Sequence, residues 1–120
     1  MSVSNKEILQ SANQAISQGD YEGFISFCAE DSVWTFVGEQ TLKGIQEIRH
    51  YIQSEYLAPP KFDVQKILDR DDHVVATGRI SIKQADGGWK TYDYCDIWKF
   101  HDGKMSELKA FVIEDTNNPA

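Results

Sequence analysis

Cysteine is scarce in this chain: Cys28 and Cys95 are the only 2 among 120 residues. That is too few, and too widely spaced, for a disulfide scaffold. Both lie in apolar runs, so buried free thiols in a reducing compartment are expected, with a single bridge as the alternative. Basic charge is also short. With 12 Lys and Arg against 19 Asp and Glu, the formal net charge is -7. Binding a nucleic-acid backbone needs a concentrated basic surface, so no nucleic-acid partner is expected. An anionic membrane surface is disfavoured for the same reason. No run reaches the roughly 18 apolar residues of a membrane span. The start, MSVSNKEILQ, lacks the basic residues and apolar centre of a secretory leader. The expectation is a cytoplasmic protein.

Motifs are missing as well. There is no GxxxxGK[ST], GxGxxG or GxSxG, which removes the usual sequence case for nucleotide binding or hydrolase-type nucleophiles. His50, His73 and His101 are far apart and lack ligand spacing such as HxxxH. The cysteines have no CxxC arrangement. No cofactor and no metal are expected.

What the chain does hold is 41% hydrophobic and 26% charged residues, enough for one domain over residues 1–120 with an ordinary core. Ser4 and Glu7 have capping-box spacing, and Ile8, Leu9, Ala12, Ala15 and Ile16 follow at helical period. Gly19 suits a C-cap, and Asp20 caps a second helix with Tyr21, Phe24, Phe27 and Cys28 on its apolar face. SVWTFVG (32–38) reads as a strand. A third helix opens at Gly44, carries Ile45, Ile48, Tyr51 and Ile52, and is stopped by Pro59 and Pro60. The period then changes. Extended segments are predicted at 62–68, 71–83, 89–100 and 105–113, with turns at ADGG and HDGK. The sum is an α+β domain, its helices covering one face of a strongly curved, mostly antiparallel sheet.

The order of elements and four stretches of sequence resemble the nuclear transport factor 2-like superfamily, which includes the SnoaL-like polyketide cyclases and the ketosteroid isomerases. QGDYEGFISFCAEDSVWTFVG matches the second helix, its loop and the first strand. LKGIQEIRHYI matches the third helix, and YDYCDIWKFHDGKMSELKAF the final hairpin. The strand at 71–83 fits by position. The resemblance implies a cone-shaped domain with a deep pocket for a small apolar or polyketide-like molecule. It also implies a homodimer through the outer sheet face in many members. Isomerase, cyclase or hydrolase-like chemistry on a carbonyl or hydroxyl compound is implied for some members. Others only bind a ligand, or act as protein-interaction or accessory domains. Whether this chain catalyses is left open.

Residue by residue, the isomerase pattern is mostly missing. Asp96 falls at the position of the buried oxyanion-hole acid. The catalytic tyrosine falls near Ala12, and the general base at Thr35, or Phe36 with a different gap. None of these three can do that work. If Asp96 points inward, alternation sends Tyr92, Tyr94 and Trp98 with it, and Cys95, Ile97 and Lys99 outward. Asp96 is then the candidate acid or hydrogen-bond donor, and Tyr94 the candidate orienting group. The alternative is a structural carboxylate tied to Arg79 or to a tyrosine hydroxyl. Arg79 has two open placements: inward, pairing with Asp96 or a ligand carboxylate, or outward as a solvated sheet residue. By the family match Thr35, Leu108, Ala110 and Val112 line the pocket.

Overall fold

The computed structural model describes residues 3–116. Helix α1 (Asn5–Ser17) starts where the sequence places its cap. The Ser4 hydroxyl accepts from the Glu7 amide while the Glu7 carboxylate reaches back, and Leu9, Ala12 and Ile16 are buried. Helix α2 (Tyr21–Ile25) is shorter than the sequence suggests, although Asp20 caps it as expected. Phe27 and Cys28 leave it because strand β6 captures them: the Met105 amide donates to the Phe27 carbonyl, and Cys28 pairs with Met105. Tertiary pairing overrides a helical apolar stripe here.

Strand β1 (Cys28–Phe36) therefore begins earlier than residue 32. Strand β2 (Gln40–Lys43) follows and was not legible in the sequence, since only Leu42 of its four residues is buried. Helix α3 (Ile45–Glu55) buries Ile48 and Ile52. Strands β3 (Lys61–Arg70), β4 (His73–Lys83), β5 (Trp89–His101) and β6 (Lys104–Glu114) complete the fold. The long segment expected from residue 71 starts two residues later. Asp71 turns the β3–β4 hairpin in the left-handed region, at φ 55°. The β5–β6 turn has Asp102 and Gly103 both at positive φ, the geometry that suits the twist of a tight hairpin.

The sheet corrects the expected shape. It is a six-stranded open sheet in the order β2-β1-β6-β5-β4-β3, mixed because β1 runs parallel to β6. The cone with a strongly curved sheet does not form. Edges β2 and β3 are not paired to each other, and β4 and β5 pair without a bulge from His73–Lys99 to Lys83–Trp89. Sharp curvature and closure are introduced by bulges and bends, which that central hairpin lacks. The register shifts lie elsewhere, between Val64 and Lys66, between Lys99 and Phe100, and between Cys28 and Val33.

The core lies between the helices and one sheet face. Leu9, Ala12 and Ile16 of α1 and Ile48 and Ile52 of α3 cluster with Trp34, Val74, Ala76, Trp98, Phe100, Met105 and Leu108. Burying this set is the main favourable contribution to folding. Ser32 is the one polar residue buried with it among the described residues, and its hydroxyl donates to the Met105 carbonyl at 2.6 Å.

Candidate functional site

The register across the sheet builds the site. Asp96 on β5 lies between Ala76 on β4 and Ala110 on β6. One step along, Tyr94 lies between Gly78 and Val112, and Tyr92 between Ile80 and Glu114. Small neighbours beside Asp96 leave room above its carboxyl. Gly78 has a separate reason. A Cβ there would stand 2.2 Å from the Asp63 carbonyl oxygen, so only glycine lets β3 approach at its bulge.

Above these rows lies a cavity of about 510 Å³, within the size range of small-molecule sites. Its inner end is lined by the buried Ile16, Phe24, Trp34, Trp98 and Leu108. Exposed Glu39, Gln40, Ser54, Glu55 and Leu57 ring its mouth, with Lys83, Gln84 and Ala85 from the β4–β5 connection. Aromatic rings form much of the wall. Trp34 meets Trp98 edge-on at 5.7 Å, Phe36 stacks on Tyr51 at 5.0 Å, and Phe62 meets Tyr94 edge-on at 6.2 Å.

Asp96 is half-buried by surface exposure yet sits deep in the fold. The two descriptions agree if the surface its carboxyl keeps is cavity wall rather than bulk solvent. No hydrogen bond or ion pair is made by its side chain among the described residues. Burial pushes its pKa up to about 7, because a low-dielectric surround disfavours the charged form. The carboxyl can therefore donate or accept a proton near neutral pH. The phenols around it stay protonated. Burial raises Tyr94, with Asp96 and Asp63 adding to the effect. Burial also raises Tyr56, helped by Tyr51 and Asp96. Tyr51 is pushed up to about 12 by burial, then by Glu55 and Glu39. The Tyr94 hydroxyl and the Trp34 indole N–H are buried without a hydrogen-bond partner among the described residues.

The structure brings together most of the residues singled out from the sequence. Asp96, Tyr94, Tyr92, Trp98, Leu108, Ala110 and Val112 all line the cavity. Two do not. Thr35 pairs with Thr41 and Lys109 and lies outside it, while its neighbours Trp34 and Phe36, which strand alternation puts on the face opposite Thr35, line it. Ser32 and Trp34 are buried at period two, which turns Thr35 away from the core. Phe36 is thus the residue at the alternative position for the isomerase base. Arg79 is also outside the cavity. Its Nε lies 3.3 Å from Asp93, and its Nη2 donates to Asp115. Asp96 is not its partner.

Tyr56 and Phe62 line the cavity but carry no motif, and Tyr51 was read only as part of a helix's apolar face. The alternation of Trp34 and Phe36 was the available signal for the first strand's inner face. Elsewhere, His73 Nδ1 lies 2.7 Å from Asp72, and His101 Nε2 lies 3.3 Å from Asp102. Both cysteines are free, and burial pushes the Cys28 thiol up to about 12, which makes it unreactive.

The sequence model of the SnoaL-like domain matches residues 9–108, so the chain belongs to the SnoaL-like family, within the nuclear transport factor 2-like superfamily. No curated protein matches the sequence. Several solved structures share the fold. An NTF2-like protein of unknown function from Burkholderia pseudomallei is 17% identical, with a TM-score of 0.80 over 97% of this chain and 94% of that one. TerC, co-crystallized with polyporic acid, is 20% identical, with a TM-score of 0.75 over 94% and 92%. An LEH-like epoxide hydrolase from M. tuberculosis is 11% identical, with a TM-score of 0.81 over 96% and 85%. At these identities the likeness is one of fold.

Proposed function

We propose that this protein binds a small, largely apolar molecule bearing a carbonyl or hydroxyl in the cavity between helices and sheet. Asp96 donates a hydrogen bond or a proton to the ligand oxygen, and Tyr94 orients it. One observation carries the reading: an unpaired carboxyl with a pKa raised to about 7 lies in an aromatic-walled cavity of about 510 Å³. An acid poised near neutral pH is suited to enolisation, cyclisation or ring-opening chemistry at an oxygenated carbon. A fold-mate co-crystallized with polyporic acid is consistent with a small-molecule ligand. The test is a carboxyl-resolved NMR titration of wild type and Asp96→Asn, with and without aromatic ketones. A resonance titrating near 7, absent in the variant and shifted by ligand, supports the reading. A value near the unperturbed 3.9 defeats it.

A homodimer through the outer sheet face belongs to the same proposal. Cys95, Ile97, Phe111 and Ile113 share that face, and Ile113 is 69% exposed. Contiguous apolar surface of this kind favours a second subunit. Sedimentation at micromolar concentration should give about twice the chain mass, and a clean monomer would refute it.

A further inference from the structure

We propose that the cavity takes its ligand in one orientation, with an uncharged hydrogen-bond acceptor innermost and a neutral or cationic end at the mouth, and that it discriminates against ligands whose outer end is a carboxylate. This rests on the ligand-binding reading above and adds the ligand's polarity to it.

The inner end asks for an acceptor. Tyr94 is 7% exposed and Trp34 4%, and neither the Tyr94 hydroxyl nor the Trp34 N–H has a hydrogen-bond partner among the described residues. Buried donors left unmade are costly, so a ligand oxygen that meets either one gains more than it would in water. No Lys, Arg or His lines the inner end to neutralise an anion, and Asp96 would repel one whenever it is ionised.

The mouth asks for the opposite charge. Glu39 and Glu55 line it, and neither side chain is hydrogen-bonded or ion-paired among the described residues. Both act on the hydroxyls of Tyr51 and Tyr92, which places the two carboxylates along the same aromatic wall. Lys83 is the single cation among the lining residues, and the Lys90 ammonium, outside the lining, also acts on Tyr92, against Glu114, Glu39 and Glu55. The rings of Phe36, Tyr51 and Tyr56 lie inside those carboxylates, with Tyr51 and Tyr56 at 6.3 Å. Aromatic faces backed by carboxylates attract an ammonium and repel an anion.

Three probes test this: acetylnaphthalenes carrying a trimethylammonium, a methyl or a carboxylate at the end of the ring system remote from the ketone. Affinities are measured by calorimetry on the full chain at low salt. The ammonium ketone should bind on the order of tenfold more tightly than the carboxylate ketone. That ratio should fall towards one in the Glu39→Gln/Glu55→Gln variant and widen in Lys83→Gln. Tyr94→Phe should weaken all three ketones together and keep the ratio, because it acts on the inner end. Equal affinities in wild type, a carboxylate preference, or a ratio that survives the double variant would each overturn the orientation while leaving ligand binding intact. Failure of all three probes to bind would overturn the ligand-binding reading and this inference with it.

Discussion

Asp96 on β5 stands directly opposite Ala110 on β6, with Ala76 on its other side. A methyl group on each flank offers the carboxyl neither a donor nor a cation. Its free energy is therefore set by burial, which accounts for a pKa raised to about 7.

That shift makes stability depend on pH. The folded state holds the Asp96 proton more tightly than the unfolded chain, whose value is about 3.9. This contribution is fully present below pH 4 and is lost as pH rises through about 7. The loss is at most on the order of 4 kcal/mol. Asp96→Asn should therefore be more stable than wild type at pH 8, by about 1–3 kcal/mol, and lose that advantage near pH 4. Urea denaturation at the two pH values measures it, and an equal difference at both would show that folding leaves the Asp96 pKa unshifted.

Tyr94→Phe removes a hydroxyl that has no hydrogen-bond partner among the described residues and keeps the ring against Phe62. The unliganded protein should be unchanged or up to about 1 kcal/mol more stable. A loss above about 2 kcal/mol in thermal denaturation would mean that the hydroxyl is paired in solution.

Ala110→Leu should fill the space beside Asp96. The side chain grows into an existing cavity, so the helices need not be displaced and the stability cost should stay below about 1.5 kcal/mol. Aromatic ketones should lose at least tenfold in affinity. Unchanged binding would place the ligand away from the Asp96 row.

Gly78→Ala should be damaging although the new methyl is small. It would meet the Asp63 carbonyl oxygen at 2.2 Å, and strand backbone is slow to give way. A cost of about 2 kcal/mol or more is expected from denaturant midpoints, since the β3–β4 pairing must shift to relieve the overlap.

Steroid ketone isomerisation should be absent. Thr35, at the matched base position, lies outside the cavity, Phe36, at the alternative one, is on its wall, and Ala12 is buried in the core. Turnover that survived purification and vanished in Asp96→Asn would contradict this.

The sequence made the inner face of β5 readable because Tyr92, Tyr94, Asp96 and Trp98 alternate with outward residues over a long strand. On β1 the same rule holds, since the aromatic period of Trp34 and Phe36 marks the inner face, whereas the family match points to Thr35. Arg79 could not be placed beforehand, because its face-mates His73, Val75, Thr77 and Ser81 are too mixed to orient that face by hydrophobicity alone. Its partner Asp115 belongs to a segment with no pattern of its own. The sheet's shape was hidden for another reason. Strand lengths and turns are local, whereas curvature and closure depend on which edges meet. The tyrosine wall contributed by α3 was hidden because a ring on an amphipathic helix reads as core whether or not a cavity lies beneath it.

Strand β6 lies between β1 and β5 in the sheet although it is the last strand in sequence. The β3–β4–β5 meander can assemble by short local closures, but β1 and β2 have no strand pairing with it until β6 is inserted. Cys28 must find Met105, and Phe36 must find Ala110. Such distant pairings delay folding. The sheet therefore assembles around one late strand, and the aromatic walls contributed by β1 and β5 are held in register only when β6 pairs with both.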